Sequence, residues 1–251
     1  MVEPRRRLMP RQYGKRVCLE RAAADVQIAT AVQDASAVWR RADGDEDFAE
    51  TVRHLRSALA AQADTLGQLC GTEISLTMSR LVPRDPEDPK TALVLEWLAT
   101  SADEDNPQPP IPLTADTAAL AIWTYKGHVS CRDVQSEREL RRAGLQAPYR
   151  TALRRQLGQN PSADMPHRSL VIVPILHRRR YEGPTPAAIP ADAPSPGRSV
   201  VGFIHASSQR SRVLQNQLAV SRLKRMGIEL GGLVRNMTAD AQPGRVAEEL
   251  R

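Results

Sequence analysis

Two hydrophobic periods alternate along this chain. Phe48, Val52, Leu55, Leu59, Leu66 and Leu69 follow one another at steps of 4-3-4-7-3, the heptad-like spacing that lays an apolar seam along one side of a helix. Gln62 or Ala63 fills the position where the seam skips. Asp47 precedes the run as an N-cap with Glu50 three residues on, and Gly71 follows it as a stop, so the pattern predicts a helix over 48–70. Upstream, 16–41 is Ala-rich and free of Pro and Gly, which predicts another helix with a weaker stripe of Val17, Ala24, Ile28, Ala31 and Val38.

After Gly71 the period falls to two. Ile74, Leu76 and Met78 alternate with Ser75, Thr77 and Ser79, a strand with one buried face over 74–82. Pro83–Lys90 reads as a turn. Thr91–Thr100 is nearly all apolar; a buried strand fits its place after a strand and a turn, a short helix being the other reading. Ser101–Leu113, with four prolines, reads as a loop. Thr114–Lys126 predicts a helix capped by Thr114 and closed by Gly127, Val129–Cys131 a very short strand, and Ser136–Gln159 a mostly helical stretch broken near Pro148. Ser169–Leu176 and Ser199–Ser207 are Val- and Ile-rich strands separated by the Pro-rich insert Tyr181–Pro196. A last helix is expected over 213–237, with a seam of Val220, Leu223, Gly227, Leu230 and Val234.

Composition narrows the class. A 41% hydrophobic content in 251 residues supports a sizeable core. Three widely spaced cysteines make no disulfide framework and fit a reducing compartment. The longest apolar run, Leu170–Leu176, is far too short for a membrane span and is interrupted by Pro174. No apolar segment follows Arg5, Arg6 and Arg7 as a secretory signal requires, so the expectation is a cytoplasmic protein without a membrane partner. The net charge of +6 is unevenly spread: residues 1–21 hold seven Arg and Lys against Glu3 and Glu20. Such an arm suits a solvated tail or contact with phosphate backbones, although aromatics at 4% offer little base stacking.

The order of elements resembles the GAF family from about Ala63 to Met237. Three local patterns carry the resemblance: Thr114–Asp133, a helix, the Gly127 turn and a short strand ending near Asp133; Ser169–Ile175, SLVIVPI; and Val200–Ser207, VVGFIHAS. PAS-like sensor folds share this periodicity. The resemblance implies an α/β (α+β) domain, an antiparallel sheet with helices on both faces. The expected organisation is a disordered basic arm over 1–15, a helical extension over 16–62, the GAF-like domain over 63–237 and a tail over 238–251.

It also implies a small-molecule pocket near the 114–126 helix, the Asp133 turn and the last strand, lined by Trp123, Cys131, Asp133, Tyr149 and His205. The ligand and any cofactor stay unnamed. The Asn-Lys-Phe-Asp-Glu set of the cyclic-nucleotide binders is absent. Cys131 is followed by Arg132 instead of the His beside a bilin-bearing Cys, and the cysteine cluster of the methionine-sulfoxide reducers is not found. No P-loop, G-x-S-x-G or H-E-x-x-H occurs, and His128 with Cys131 makes only half of a zinc set, so no catalytic or metal residue is assigned. The expected function is a non-enzymatic sensor that signals to a separate partner. The rivals are an interaction module with a degenerate pocket and a nucleic-acid-associated protein using the basic arm. Two seams on two helices predict a homodimer built through them.

Overall fold

The computed structural model describes residues 26, 28–39, 45–83, 93–101, 110–112, 127–145, 147, 150, 151, 168–177 and 199–239. The basic arm, the helix expected over 114–126, the Pro-rich insert and the C-terminal tail from residue 240 on lie outside the described residues.

Residues 28–39 are helical and form α1. The strong seam forms α2, Asp45–Cys70, and Gly71 ends it at φ +67°, a left-handed conformation that glycine adopts without steric penalty. The helix starts two residues earlier than the expected cap, so Asp47 falls within its first turn. The alternating segment gives β1, Ser75–Pro83, and the apolar run gives β2, Leu93–Thr100. Within the expected loop, Ile111–Pro112 adds a two-residue strand β3 to the β2 edge. Val129–Cys131 is β4, entered through Gly127 at φ +65°.

Two expected helices are interrupted. The segment after Ser136 gives α3, Glu137–Arg142, capped by the Ser136 hydroxyl, and Gly144 at φ +78° breaks it; residues 147, 150 and 151 are helical again, and Pro148 lies outside the described residues. The single helix expected over 213–237 is two: α4, Gln217–Glu229, capped by Asn216, and α5, Gly231–Ala239, with Leu230 as a turn between them. The glycines at 231 and 232 weaken helix propensity where the chain changes course.

β5, Ser169–His177, and β6, Ser199–Ser208, pair as antiparallel neighbours. The six strands form one antiparallel sheet in the order β3-β2-β1-β6-β5-β4. Alternation sorts the side chains between its faces. Leu76, Met78, Val171, Val173, Ile175, Ile204 and Ala206 pack with α1, α2, α4 and α5 into one core. Leu81, Leu95, Ile172 and Phe203 pack on the other face with Val129, Cys131 and Leu140 of α3.

One layer of helices therefore buries both seams within a single chain. Leu55, Leu59 and Leu66 of α2 share the core with Leu223, Leu230 and Val234, each at most 1% exposed. These seams face the sheet, so the reason given above for a helical dimer interface does not hold. The boundary expected between residues 62 and 63 falls inside α2, and the extension shares the core of the domain: Ile28, Ala35, Phe48 and Val52 belong to it, and Trp39 meets Phe48 edge to face at 5.8 Å.

Candidate functional site

The sheet face turned away from α2 and α4 carries the expected pocket residues that are described. Along β6, Phe203 and His205 stand on this face because Ile204 and Ala206 take the other. His205 lies opposite Ile172 on β5 and Thr77 on β1. Phe203 lies opposite Ser79, whose other neighbour across the β1–β2 pair is Trp97. A register shift at Met78/Ser79 sets Trp97 there and leaves Leu98 to the helical face.

The rings therefore meet at the centre of the sheet. Trp97 and His205 lie with centroids 5.5 Å apart and planes tilted by 42°, and Phe203 meets His205 edge to face at 6.5 Å. Both Trp97 and His205 are half-buried. The Trp97 Nε1 is shut off from solvent and has no hydrogen-bond partner among the described residues. A buried indole N–H normally finds an acceptor, and leaving it without one costs about 1–3 kcal/mol.

Cys131 and Asp133 lie at the β4 end of the same face. Cys131 is buried among Val129, Val134 and Leu170. Burial pushes its thiol up to about 11; the Glu139 and Asp133 carboxylates add to the rise, and a hydrogen bond with the Asp133 backbone opposes it. Burial also raises the Cys70 thiol. Asp133 is engaged within the fold: one carboxylate oxygen accepts from Arg168 Nη2 at 3.0 Å and the other from the Gln135 backbone N–H at 3.1 Å. Around it, Val134 N–H donates to the Arg168 carbonyl at 2.7 Å and Arg168 N–H to the Ser208 carbonyl at 2.6 Å. Asp133 thus ties the β4 end to Arg168, whose backbone N–H in turn ties it to the end of β6.

The structure brings His205 beside Trp97, a residue of the apolar run 91–100, and sets Cys131 and Asp133 at the β4 end. Trp123 and Tyr149 lie outside the described residues. Nothing in the nearly uniform apolar run of β2 marks Trp97 as different from its neighbours; only the bulge assigns its face. A cavity of about 490 Å3 opens elsewhere, at the β4 edge, and none of Cys131, Asp133 and His205 lines it. Among the described residues no cluster of three His, Cys, Asp or Glu is arranged to hold a metal, and no helix is long and apolar enough to cross a membrane.

An antiparallel sheet in this order, helices on both faces and the Gly127 turn into β4 reproduce the arrangement the sequence resembles. The fold is GAF-like. The chain is similar to a GAF domain from an Acinetobacter phosphoenolpyruvate-protein phosphotransferase, with 12% identity over 86% of this chain and 95% of that one and a TM-score of 0.47. It is similar to a type II free methionine-R-sulfoxide reductase from Thermoplasma acidophilum, with 15% identity over 74% and 96% of the two chains and a TM-score of 0.43. A far-red cyanobacteriochrome photoreceptor is similar at 12% identity over 74% and 87%, with a TM-score of 0.46. At this level of likeness, none of these proteins' chemistry carries over to this chain. No family model and no curated protein matches the sequence.

Proposed function

We propose that this chain is a cytoplasmic, non-catalytic regulatory domain that binds a small molecule against the Trp97–His205 face and passes its occupancy to a separate partner protein. The observation that carries the reading is the buried Trp97 N–H beside His205, a hydrogen-bond donor with no acceptor among the described residues, on the sheet face that holds Leu81, Leu95, Ile172 and Phe203. A few directed polar groups in an apolar wall are what a small-molecule site uses to orient its ligand. Neither described thiol suits nucleophilic chemistry: with Cys131 pushed up to about 11 and Cys70 also raised, both stay protonated at neutral pH, and the thiolate is the nucleophile.

A thermal-shift screen of nucleotides, amino acids and small aromatics tests the proposal. A ligand that binds only the folded chain adds about 2.7 kcal/mol at a hundredfold excess over Kd. Trp97→Phe keeps an aromatic ring and removes the donor, so it is expected to erase the shift while circular dichroism stays native. No shift from any of these classes, together with a Trp97→Phe chain more stable than the parent, would sink the proposal and leave an unfilled donor in an interaction module.

A further inference from the structure

The cavity at the β4 edge is formed by side chains that the sheet-face site does not use. β4 is the end strand of the sheet, and its residues divide between two sides. Val129 and Cys131 are buried in the core with Phe203, while His128, Ser130 and Arg132 line the cavity. α3 contributes Glu139 and Arg142, and α4 contributes residues from its first turns, Lys224 among them. The volume is about 490 Å3, within the range of small-molecule sites.

Charge is the distinguishing property of this wall. Among the described residues, Arg132, Arg142 and Lys224 place three fixed positive charges around the cavity, and Glu139 is the one carboxylate on its wall. That carboxylate pairs with Arg142 at 3.3 Å and more loosely with Arg132 at 3.8 Å, and both guanidinium groups remain about half exposed, at 57% and 49%. Lys224 makes no ion pair with any described residue. An excess of two positive charges thus faces one space, and like charges so gathered repel unless an anion joins them. The α4 end adds to the field, since its first turn holds no acidic residue to oppose the positive end of the helix dipole.

Neutral donors complete the lining. Gln215 stands on the wall with its side-chain Nε2 shut off from solvent and without a hydrogen-bond partner among the described residues, and Ser130 presents a hydroxyl, while the Ser221 hydroxyl donates to the Gln217 carbonyl at 2.8 Å. Val220 supplies an apolar contact.

The geometry points to a second binding site, at the β4 edge between α3 and α4, for a small phosphate monoester. A phosphate monoester carries close to two negative charges at neutral pH and several strong acceptor oxygens. That charge matches the excess on the wall. Arginine offers forked donors to phosphate oxygens and lysine a compact charge. The volume leaves room for a sugar-sized body beyond the phosphate. This site is independent of the sheet-face proposal, since the two share no residue.

Isothermal titration calorimetry on the full chain, with inorganic phosphate and glucose 6-phosphate as probes and glucose as the neutral control, tests the assignment. Both phosphates are expected to bind at low salt and to compete with each other, with affinity falling as salt screens the half-exposed cations. Lys224→Met and Arg132→Gln are each expected to weaken binding about tenfold, the loss of one charge-assisted contact. Glu139→Gln is expected to tighten it roughly threefold by removing the competing carboxylate. His205→Ala is expected to leave phosphate binding unchanged, which separates failure of this site from failure of the other. Absence of heat from millimolar phosphate, equal binding of glucose, or affinities that the Lys224 and Arg132 variants leave unmoved would overturn the assignment.

Discussion

Arg80 and Glu96 face each other across β1 and β2 and bury their ion pair almost entirely, at 0% and 2% exposure. The Arg80 Nε donates to Glu96 Oε2 at 2.8 Å and Nη2 lies 2.7 Å from the same oxygen. Its remaining arm, Nη1, donates to the Met237 carbonyl near the end of α5 at 2.6 Å, and the guanidinium lies 5.3 Å from the centre of the Phe48 ring. One side chain therefore ties the sheet to both the start of α2 and the end of α5. Two elements separated by most of the sequence meet on it.

Removing one partner should be severe. Glu96→Gln or Glu96→Leu leaves the Arg80 charge buried without a counter-ion, and loss of about 3–5 kcal/mol is expected in urea unfolding. The double variant Arg80→Met with Glu96→Leu should recover much of that loss, because it removes both desolvated charges. A double variant no more stable than Glu96→Leu alone would show that the Met237 and Phe48 contacts, and not charge pairing, set the cost.

Glycines at the helix–sheet interface make a second, paired prediction. A Cβ on Gly231 would run into the Leu176 carbonyl, and one on Gly227 would come within 2.5 Å of the Pro174 carbonyl, both on β5. Gly232, one residue on, has open space around its would-be Cβ. Gly231→Ala is expected to cost about 1–3 kcal/mol through backbone displacement. Gly232→Ala is expected to gain up to about 1 kcal/mol from helix propensity. Chemical denaturation of the two variants checks the sign difference, and equal effects would mean α5 does not rest on β5 as described.

The elements were legible where one periodicity runs without interruption. β1, β5, β6 and the α2 seam follow from alternation or heptad spacing alone, and Gly71 and Gly127 mark turns that do occur at positive φ. Long-range geometry was not legible. The Leu230 turn between α4 and α5 depends on how the helices sit on β5, and a seam reads the same whether it meets another chain or its own sheet. Arg80 and Glu96 look like solvated charges in sequence, and only the register shift at Met78/Ser79 that brings them opposite each other makes them partners. Of the residues in the proposed site, His205 was expected from the family resemblance, while Trp97 was hidden in a run whose faces the sequence does not distinguish.

The burial of both seams changes what charge substitutions should do. Leu55 and Leu230, at 1% and 0% exposure, lie in one core with the sheet. Leu55→Asp and Leu230→Asp are therefore expected to unfold the chain, each costing more than about 3 kcal/mol by placing a carboxylate in an apolar interior. Circular dichroism and light scattering on the same samples separate the outcomes. A folded monomer from either variant, starting from a dimeric parent, would restore the helical interface that the sequence suggests.

Cys131 supplies a pH-dependent test of the β4 core. Its thiol ordinarily ionises near 9.0 and burial pushes it up to about 11, so the unfolded chain releases this proton at lower pH than the folded one. Between those values the folded state binds more protons, and stability must fall as pH rises. Each pH unit in that window removes about 1 kcal/mol, none of it lost below 9 and nothing further lost above 11. Cys131→Ala has no such proton, so the stability difference between parent and variant should shrink steadily from pH 9 to pH 11. Iodoacetamide at pH 8 should likewise modify half-buried Cys70 well before Cys131, since only the thiolate attacks and Cys131 is the more deeply buried of the two. A parent-minus-variant difference that stays flat across the window would mean that water reaches Cys131, and that the apolar cluster of Val129, Val134 and Leu170 does not close over it.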